Sequence, residues 1–357
     1  INVRDISWAR QSGWGDSGMS GPVAPAPQLD SELTAEATEA EIVGKERGRK
    51  KKSKDSGGSR TSFTMFLVIL PFLALMFLFS YLPLYGWVYA LFDYKPALGI
   101  SGSEFVGLQW FKILVSSPTQ VKQIGQVLLN TLAISFLGIA TSFFPVLFAV
   151  FLNEIKVPWF RNMVQTLTTL PNFISWVLVY MIAFSMFTST GLVNNLLMSW
   201  GVIDDPVRFL DSGGPGIWIA MTFWSLWKGL GWGAIIYLAA IAGIDPSLYE
   251  SARLDGAGRF QLIRHITIPQ LMPTYLVLLL LSIANLLNNG MEQYFVFQNA
   301  FNKDFIQVLD LYVYNIGIMG SSLSLATAIG MLKSIISVIL LFTVNWIAKR
   351  VRGEALV

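Results

Sequence analysis

Lys228 and Lys333 stand near the middle of long apolar runs that contain no Asp or Glu. An ammonium at the centre of an apolar helix costs about 2.5–3.5 kcal/mol on insertion scales. Each must therefore be answered by a helix carbonyl, a water-filled cavity, an acid from a partner subunit or a bound anion. On a helix, Lys228 shares a face with Trp224, Gly231 and Trp232, at i−4, i+3 and i+4. A cation beside flat indole rings suits a ring-shaped ligand that carries a carboxylate. The competing reading has the indoles packing and Lys228 tied to a carbonyl or to another subunit. Asn172, Trp176 and Tyr180 form a second polar–aromatic stripe at i, i+4 and i+8. Its amide and phenol groups can meet ligand hydroxyls or bond across helices. Asn285, Asn288, Asn289 and Glu292 cluster near the end of another run, where a helix terminus explains them as readily as ligand contact.

Covalent and metal chemistry find little support. The chain has no Cys, which excludes disulfides and thiolate metal sites. His265 is the only His, and a metal or nucleophile site needs several such groups together. No catalytic, metal or cofactor-binding residue is assigned. Asp204-Asp205 is the only adjacent acidic pair. A polytopic membrane enzyme such as a glycosyltransferase would need paired acids or a metal cluster near a membrane face.

The elements that must position these residues follow from composition. Hydrophobic residues make up 54% of the chain and charged residues 13%, against about 25% charged in soluble domains. Six mainly apolar runs lie at about 62–84, 127–152, 163–187, 217–241, 271–289 and 322–347. About twenty such residues cross the hydrocarbon as a helix, which bonds its own backbone internally. The expected fold is an all-α membrane protein with six transmembrane helices across 61–357. Residues 1–60 are rich in Gly, Ser, Pro, Ala and Glu, then turn basic, and are expected to be a disordered tail. The full-length span that follows argues against a secretory signal. The segment 105–116 has apolar residues at helical spacing. It should lie along the outer membrane surface or pack on the bundle.

Charge sets the orientation. Eight Lys/Arg fall between Lys45 and Arg60, and Lys349, Arg350 and Arg352 follow the last run. A nucleic-acid partner is disfavoured because the basic cluster abuts a hydrophobic span. With that tail inside, Lys156, Arg161, Arg253, Arg259 and Arg264 crowd the short inner loops. Lys95, Lys112, Lys122, Arg208 and Lys303 are spread over longer outer ones. Both termini are thus expected in the cytoplasm, with Asp204-Asp205 outside.

The loop 245–269 falls on the inner side. Asp245-Pro246 reads as an N-cap with proline at the first helical position. Gly256 permits a turn, a second short helix covers about 258–265, and Pro269 marks the start of the fifth span. The result is a helix–turn–helix knob able to pass a rigid-body movement into the spans on either side.

Within this loop Glu250, Ser251, Ala252, Asp255, Gly256, Ala257, Ile266 and Pro269 keep the spacing E-A-A, two residues, D-G-A, eight residues, I-x-L-P. Ser251 replaces an alanine and Ile268 a leucine. The segment resembles the coupling loop of permease subunits in binding-protein-dependent ABC importers. TLPNFISW at 169–176, YLAAIAGIDPSLYESA at 237–252 and NLLNNGMEQYFVFQNAF at 285–301 look like the branch that handles complex plant-polysaccharide oligosaccharides, including uronate-containing ones. The resemblance covers much of 63–350 and implies a multi-pass protein of the bacterial cytoplasmic membrane. It also implies two ATP-binding subunits, a second homologous permease and an extracytoplasmic solute-binding protein. Oligosaccharide would cross by alternating access. No G-x-x-x-x-G-K-[ST] phosphate loop occurs in the chain, so ATP hydrolysis is expected in a partner rather than here. The alternatives are a permease for neutral oligosaccharides or other sugar derivatives, a membrane enzyme, and a non-transporting scaffold.

Overall fold

The computed structural model describes residues 58–210 and 213–352. The expected tail at 1–60 lies outside the described residues, except that Gly58 already opens a helix. The chain divides into two units, Ile1–Leu78 and Phe79–Val357. In the first, helix α1 covers Gly58–Met76.

The second unit is helical apart from a two-residue antiparallel pair, Phe92–Asp93 with Glu104–Phe105. After a 3₁₀ segment at Leu82–Leu91 come α2 (Gln109–Ser116), α3 (Pro118–Ala140), α4 (Phe143–Asn153) and α5 (Pro158–Thr169). Next are α6 (Trp176–Phe187), α7 (Leu192–Ser199) and α8 (Gly216–Ala242). Then α9 (Pro246–Leu254), α10 (Arg259–Leu262) and α11 (Ile268–Ala284) form the knob and the span leaving it. Short helices α12 (Glu292–Phe297), α13 (Lys303–Ile306) and α14 (Leu309–Tyr314) precede α15 (Leu323–Arg352). Among the described residues six helical stretches are long and apolar enough to cross a membrane: Thr64–Leu91, Pro118–Asn153, Trp176–Ser199, Gly216–Ala242, Arg259–Ala284 and Leu323–Arg350.

Prolines account for the departures from the expected spans. Pro171 offers no N–H to the carbonyl one turn back, and the chain passes through a 3₁₀ turn at Leu170–Phe173 before Ser175 caps α6 by accepting the Leu178 N–H at 3.4 Å. The run 163–187 is therefore two helices, and the crossing stretch begins at Trp176. Pro145 interrupts the second span in the same way, between α3 and α4 at Thr141–Ser142. The fifth span is shifted relative to 271–289. It is continuous from Arg259 through a π-turn at Ile263–Thr267 and ends at Ala284. Pro269 lies just after that turn, inside the continuous helix rather than at its boundary. The fourth span, α8, agrees with 217–241 to within a residue at each end.

Three apolar clusters hold the second unit. One joins α6, α8 and α12 through Val179, Ile217, Met221, Trp224 and Phe297. A second joins α4, α8 and α11 through Ala149, Ala234, Tyr237 and Leu271. The third seats α2 on the bundle, with Leu114 against Val127, Tyr312 and Ile329. Of the two placements open to 105–116, α2 takes the packed one. Outward faces stay apolar, with Phe136, Phe151, Ile219 and Phe342 all more than half exposed. Faces of that kind suit lipid or another subunit.

Candidate functional site

Asp245 starts the knob by accepting the Ser247 N–H at 2.9 Å, and Pro246 occupies the first turn, where its missing N–H costs nothing. The backbone hydrogen bond to Ser247, reinforced through the side chain, holds the exposed Asp245 carboxyl below the usual carboxylate range. At the far end of α9 the Gly256 N–H bonds Arg253 and the Ala257 N–H bonds Ala252. Gly256 has φ +82°, a left-handed conformation that a side chain resists. Gln261 Oε1 then accepts the Gly258 N–H at 2.7 Å to open α10. The Tyr249 and Thr267 hydroxyls, 3.0 Å apart, staple α9 to the π-turn.

The expected helix–turn–helix is thus present, and its second arm is continuous with α11. Its outer surface is apolar as well as charged. No residue of α9 is buried, and Leu254 and Phe260 are 89% and 73% exposed. Ala252, Asp255, Gly256, Ala257 and Ile266 line one hollow of about 310 Å³, while Glu250 borders another, to which Ala257 also contributes. Ser251 and Pro269 are exposed. Arg259 ties this arm to the end of α4, bonding the Glu154 carboxylate at 2.8 Å and its carbonyl at 2.7 Å. Exposed His265 bonds its own helix, with Nδ1 3.1 Å from the Gln261 carbonyl.

Lys228 is answered inside the chain. Its ammonium donates to the carbonyls of Asn172 at 2.7 Å and Pro171 at 3.2 Å. It lies 5.4 Å from the centre of the Trp176 ring. The helix break at Pro171 turns these carbonyls toward the ammonium, although the Pro171 carbonyl also accepts the Ile174 N–H at 3.2 Å, and a cation is well placed at such a C-terminal end. An ammonium has three donors; two are engaged here.

The stripe Asn172, Trp176 and Tyr180 is not a continuous helix face, since residues 174–175 separate Asn172 from α6. Asn172 meets Lys228 through its backbone. Tyr180 turns into the core, edge-on to Phe297 at 5.1 Å. Trp224 is likewise core, 7% exposed and packed on Phe187 and Phe297. Trp232 is half exposed and edge-on to Phe173. Gly231 fits between helices, for a Cβ there would lie 2.4 Å from the Thr168 carbonyl carbon. The fold therefore gathers Lys228, Asn172, Trp176 and Trp232 about the α5–α6 break, and leaves Trp224 and Tyr180 as packing.

Lys333 belongs elsewhere. It pairs with Asp310 on α14, whose other oxygen accepts the Gly290 N–H at 3.0 Å. Asp310 escaped sequence reasoning because it lies outside every span, although it is the only acid between Asp304 and Glu354. Gln293 was also missed. It accepts from Ser225 at 2.6 Å and donates to the Met221 carbonyl at 2.8 Å, fastening α12 to α8. Asn289 bonds Ser135 on α3, and Asn288 bonds Asn285.

Comparison with known proteins adds to this geometry. Residues 142–353 match the family described as "Binding-protein-dependent transport system inner membrane component". A polygalacturonan/rhamnogalacturonan transport system permease protein, YteP of Bacillus subtilis (strain 168), is 38% identical over 296 residues, covering 82% of this chain and 89% of that protein. The crystal structure of a bacterial ABC transporter involved in the import of the acidic polysaccharide alginate contains a chain 30% identical. It matches with TM-score 0.72 over 82% of this chain and 97% of that one. A bacterial alginate ABC transporter in complex with an alginate pentasaccharide-bound periplasmic protein contains a similar chain, 30% identical, with TM-score 0.71 over 83% and 97%.

Proposed function

The chain belongs to the family of binding-protein-dependent transport system inner membrane components, and we propose that it is the membrane-spanning subunit of an ATP-driven oligosaccharide importer, driven through the knob at 245–269. The single observation that carries the coupling role is the knob itself. Two short helices around Gly256 expose Leu254 and Phe260, and the second arm runs unbroken into α11. A partner that grips those side chains can rotate the span as a rigid body. ATP binding by that partner then biases the equilibrium between inward- and outward-open states. The partners are two ATP-binding subunits, a second homologous permease and an extracytoplasmic solute-binding protein. The permease lies in a bacterial cytoplasmic membrane, with both termini and the knob on the cytoplasmic side.

The proposed cargo is an oligosaccharide containing uronate. The names of the relatives support acidic sugars: polygalacturonan/rhamnogalacturonan for YteP and alginate for the solved transporter. Within this chain the reading rests on Lys228, which has one donor left after its two carbonyls and an indole beside it. Lys333 is neutralised by Asp310 and is withdrawn from the cargo path, as are Trp224 and Tyr180. A neutral oligosaccharide is the second reading, favoured by the fact that Lys228 already has protein partners.

The test is ATP hydrolysis by the reconstituted complex with its solute-binding protein. Glu250→Lys and Gly256→Val should abolish substrate-stimulated hydrolysis while the subunits still co-purify. Wild-type stimulation in both variants would sink the coupling assignment. Stimulation by maltotriose but not by trigalacturonate would select the neutral cargo.

A further inference from the structure

We propose that a cavity of about 820 Å³ formed by α3, α12, α14 and the start of α15 is a second sugar-binding site, separate from Lys228, that takes an acidic sugar residue. The inference rests on the oligosaccharide-importer reading above. The cavity is bordered by the first turns of α3 and of α15. Its size falls within the range of about 300–1,000 Å³ usual for small-molecule pockets.

The lining is chemically unusual for a membrane protein. Gln123, Gln298, Gln307 and Asn315 line the cavity together with Phe295, and Lys303 is the only charged residue of the lining. Carboxamides supply paired donors and acceptors in one plane, which matches the vicinal hydroxyls of a pyranose. The half-exposed Phe295 ring offers a flat apolar surface for the C–H face of a sugar. The absence of Asp and Glu from the lining, with Lys303 present, selects a carboxylate over a cation.

Gln307, 7% exposed, forms part of the cavity wall. Its position is built with care: Asn130 on α3 donates to the carbonyls of Gln307 at 3.1 Å and Asp304 at 2.8 Å. Thr131 accepts the Leu309 N–H at 2.9 Å. The backbone around Gln307 is thus fixed at the cavity wall.

The opposite wall departs from regular helix. A π-turn runs over Asn315–Met319, and Ser321 has φ +54°, the only left-handed non-glycine among the described residues. π-turns and strained backbone concentrate at functional sites. Helix α12 links the two sites. Gln293 and Phe297 face α8, near Lys228, while Phe295 and Gln298 face the cavity.

Equilibrium binding of trigalacturonate and maltotriose to the purified complex, without the solute-binding protein, tests the site. Lys303→Met should weaken trigalacturonate about tenfold and maltotriose little, while Gln298→Ala with Gln307→Leu should weaken both. Thermal unfolding checks that each variant is folded. Lys303 is exposed, so its replacement should not disturb folding. Unchanged affinity for both probes in Lys303→Met and in the double variant would overturn the site. The importer reading would survive that result, and fails separately if the wild-type complex imports neither probe.

Discussion

Lys333 on α15 is paired with Asp310 on α14, and the second oxygen of Asp310 receives the Gly290 N–H at 3.0 Å. Gly290 has φ +73° and belongs to the irregular segment that follows α11. One carboxylate therefore neutralises a cation within a span and fixes the turn at the end of another. Removing one member of a buried pair typically costs 3–5 kcal/mol, whereas replacing both with apolar groups is far milder. Both side chains here are slightly exposed, at 15% and 22%, which points to the lower end, about 3 kcal/mol. Asp310→Asn should lower the thermal unfolding midpoint of the purified complex clearly, and Lys333→Met with Asp310→Leu should lower it less. A double variant worse than Asp310→Asn would show that the pair is not the relevant unit.

Lys228 anchors the α5–α6 break through the Pro171 and Asn172 carbonyls. Its replacement by Met should reduce uptake of trigalacturonate several-fold in reconstituted vesicles, with assembly and basal ATP hydrolysis retained. Maltotriose uptake provides the control. An equal fall for both sugars would assign Lys228 to holding the break and would remove it from recognition of the acid.

Gly231 marks the close approach of α8 to α5. A methyl group there would meet the Thr168 carbonyl carbon at 2.4 Å, and the obstacle is backbone, so it cannot rotate away. Overpacking of this kind costs about 1–3 kcal/mol. Gly231→Ala should lower the unfolding midpoint. Gly229→Ala on the same helix, where a Cβ meets nothing within 4 Å, should not. Similar midpoints for the two would refute the close contact.

Asp245 supplies a pH dependence. Its carboxyl is held below the ordinary carboxylate range by the Ser247 N–H, so the ionised form is the one favoured in the folded knob. The cap is then complete above the ordinary carboxylate value and is lost as pH falls through the lowered one. Hydrogen exchange at amides 247–250, corrected for intrinsic rates, should be flat near neutrality and rise in acid. Asp245→Asn keeps an acceptor without the titration and should remove the acid-dependent rise.

The number of spans, the extent of α8 and the helix–turn–helix at 245–269 were legible in the residues themselves. Hydrophobic length, the Asp245-Pro246 start and Gly256 act locally, through backbone solvation in lipid, capping and φ. Pro171 also signalled a break, but an apolar run on either side concealed it, because hydropathy does not register a missing N–H. What the sequence could not settle was which polar groups meet. It established that Lys228 and Lys333 each needed a partner and left the kind of partner open. The folded chain supplies carbonyls at a helix break to one and Asp310, from a short helix between spans, to the other. The amides of Gln123, Gln298, Gln307 and Asn315 come from separate elements and share one cavity only after the helices pack. Burial creates the demand for pairing one residue at a time, but helix packing decides which residues stand within 3 Å of one another.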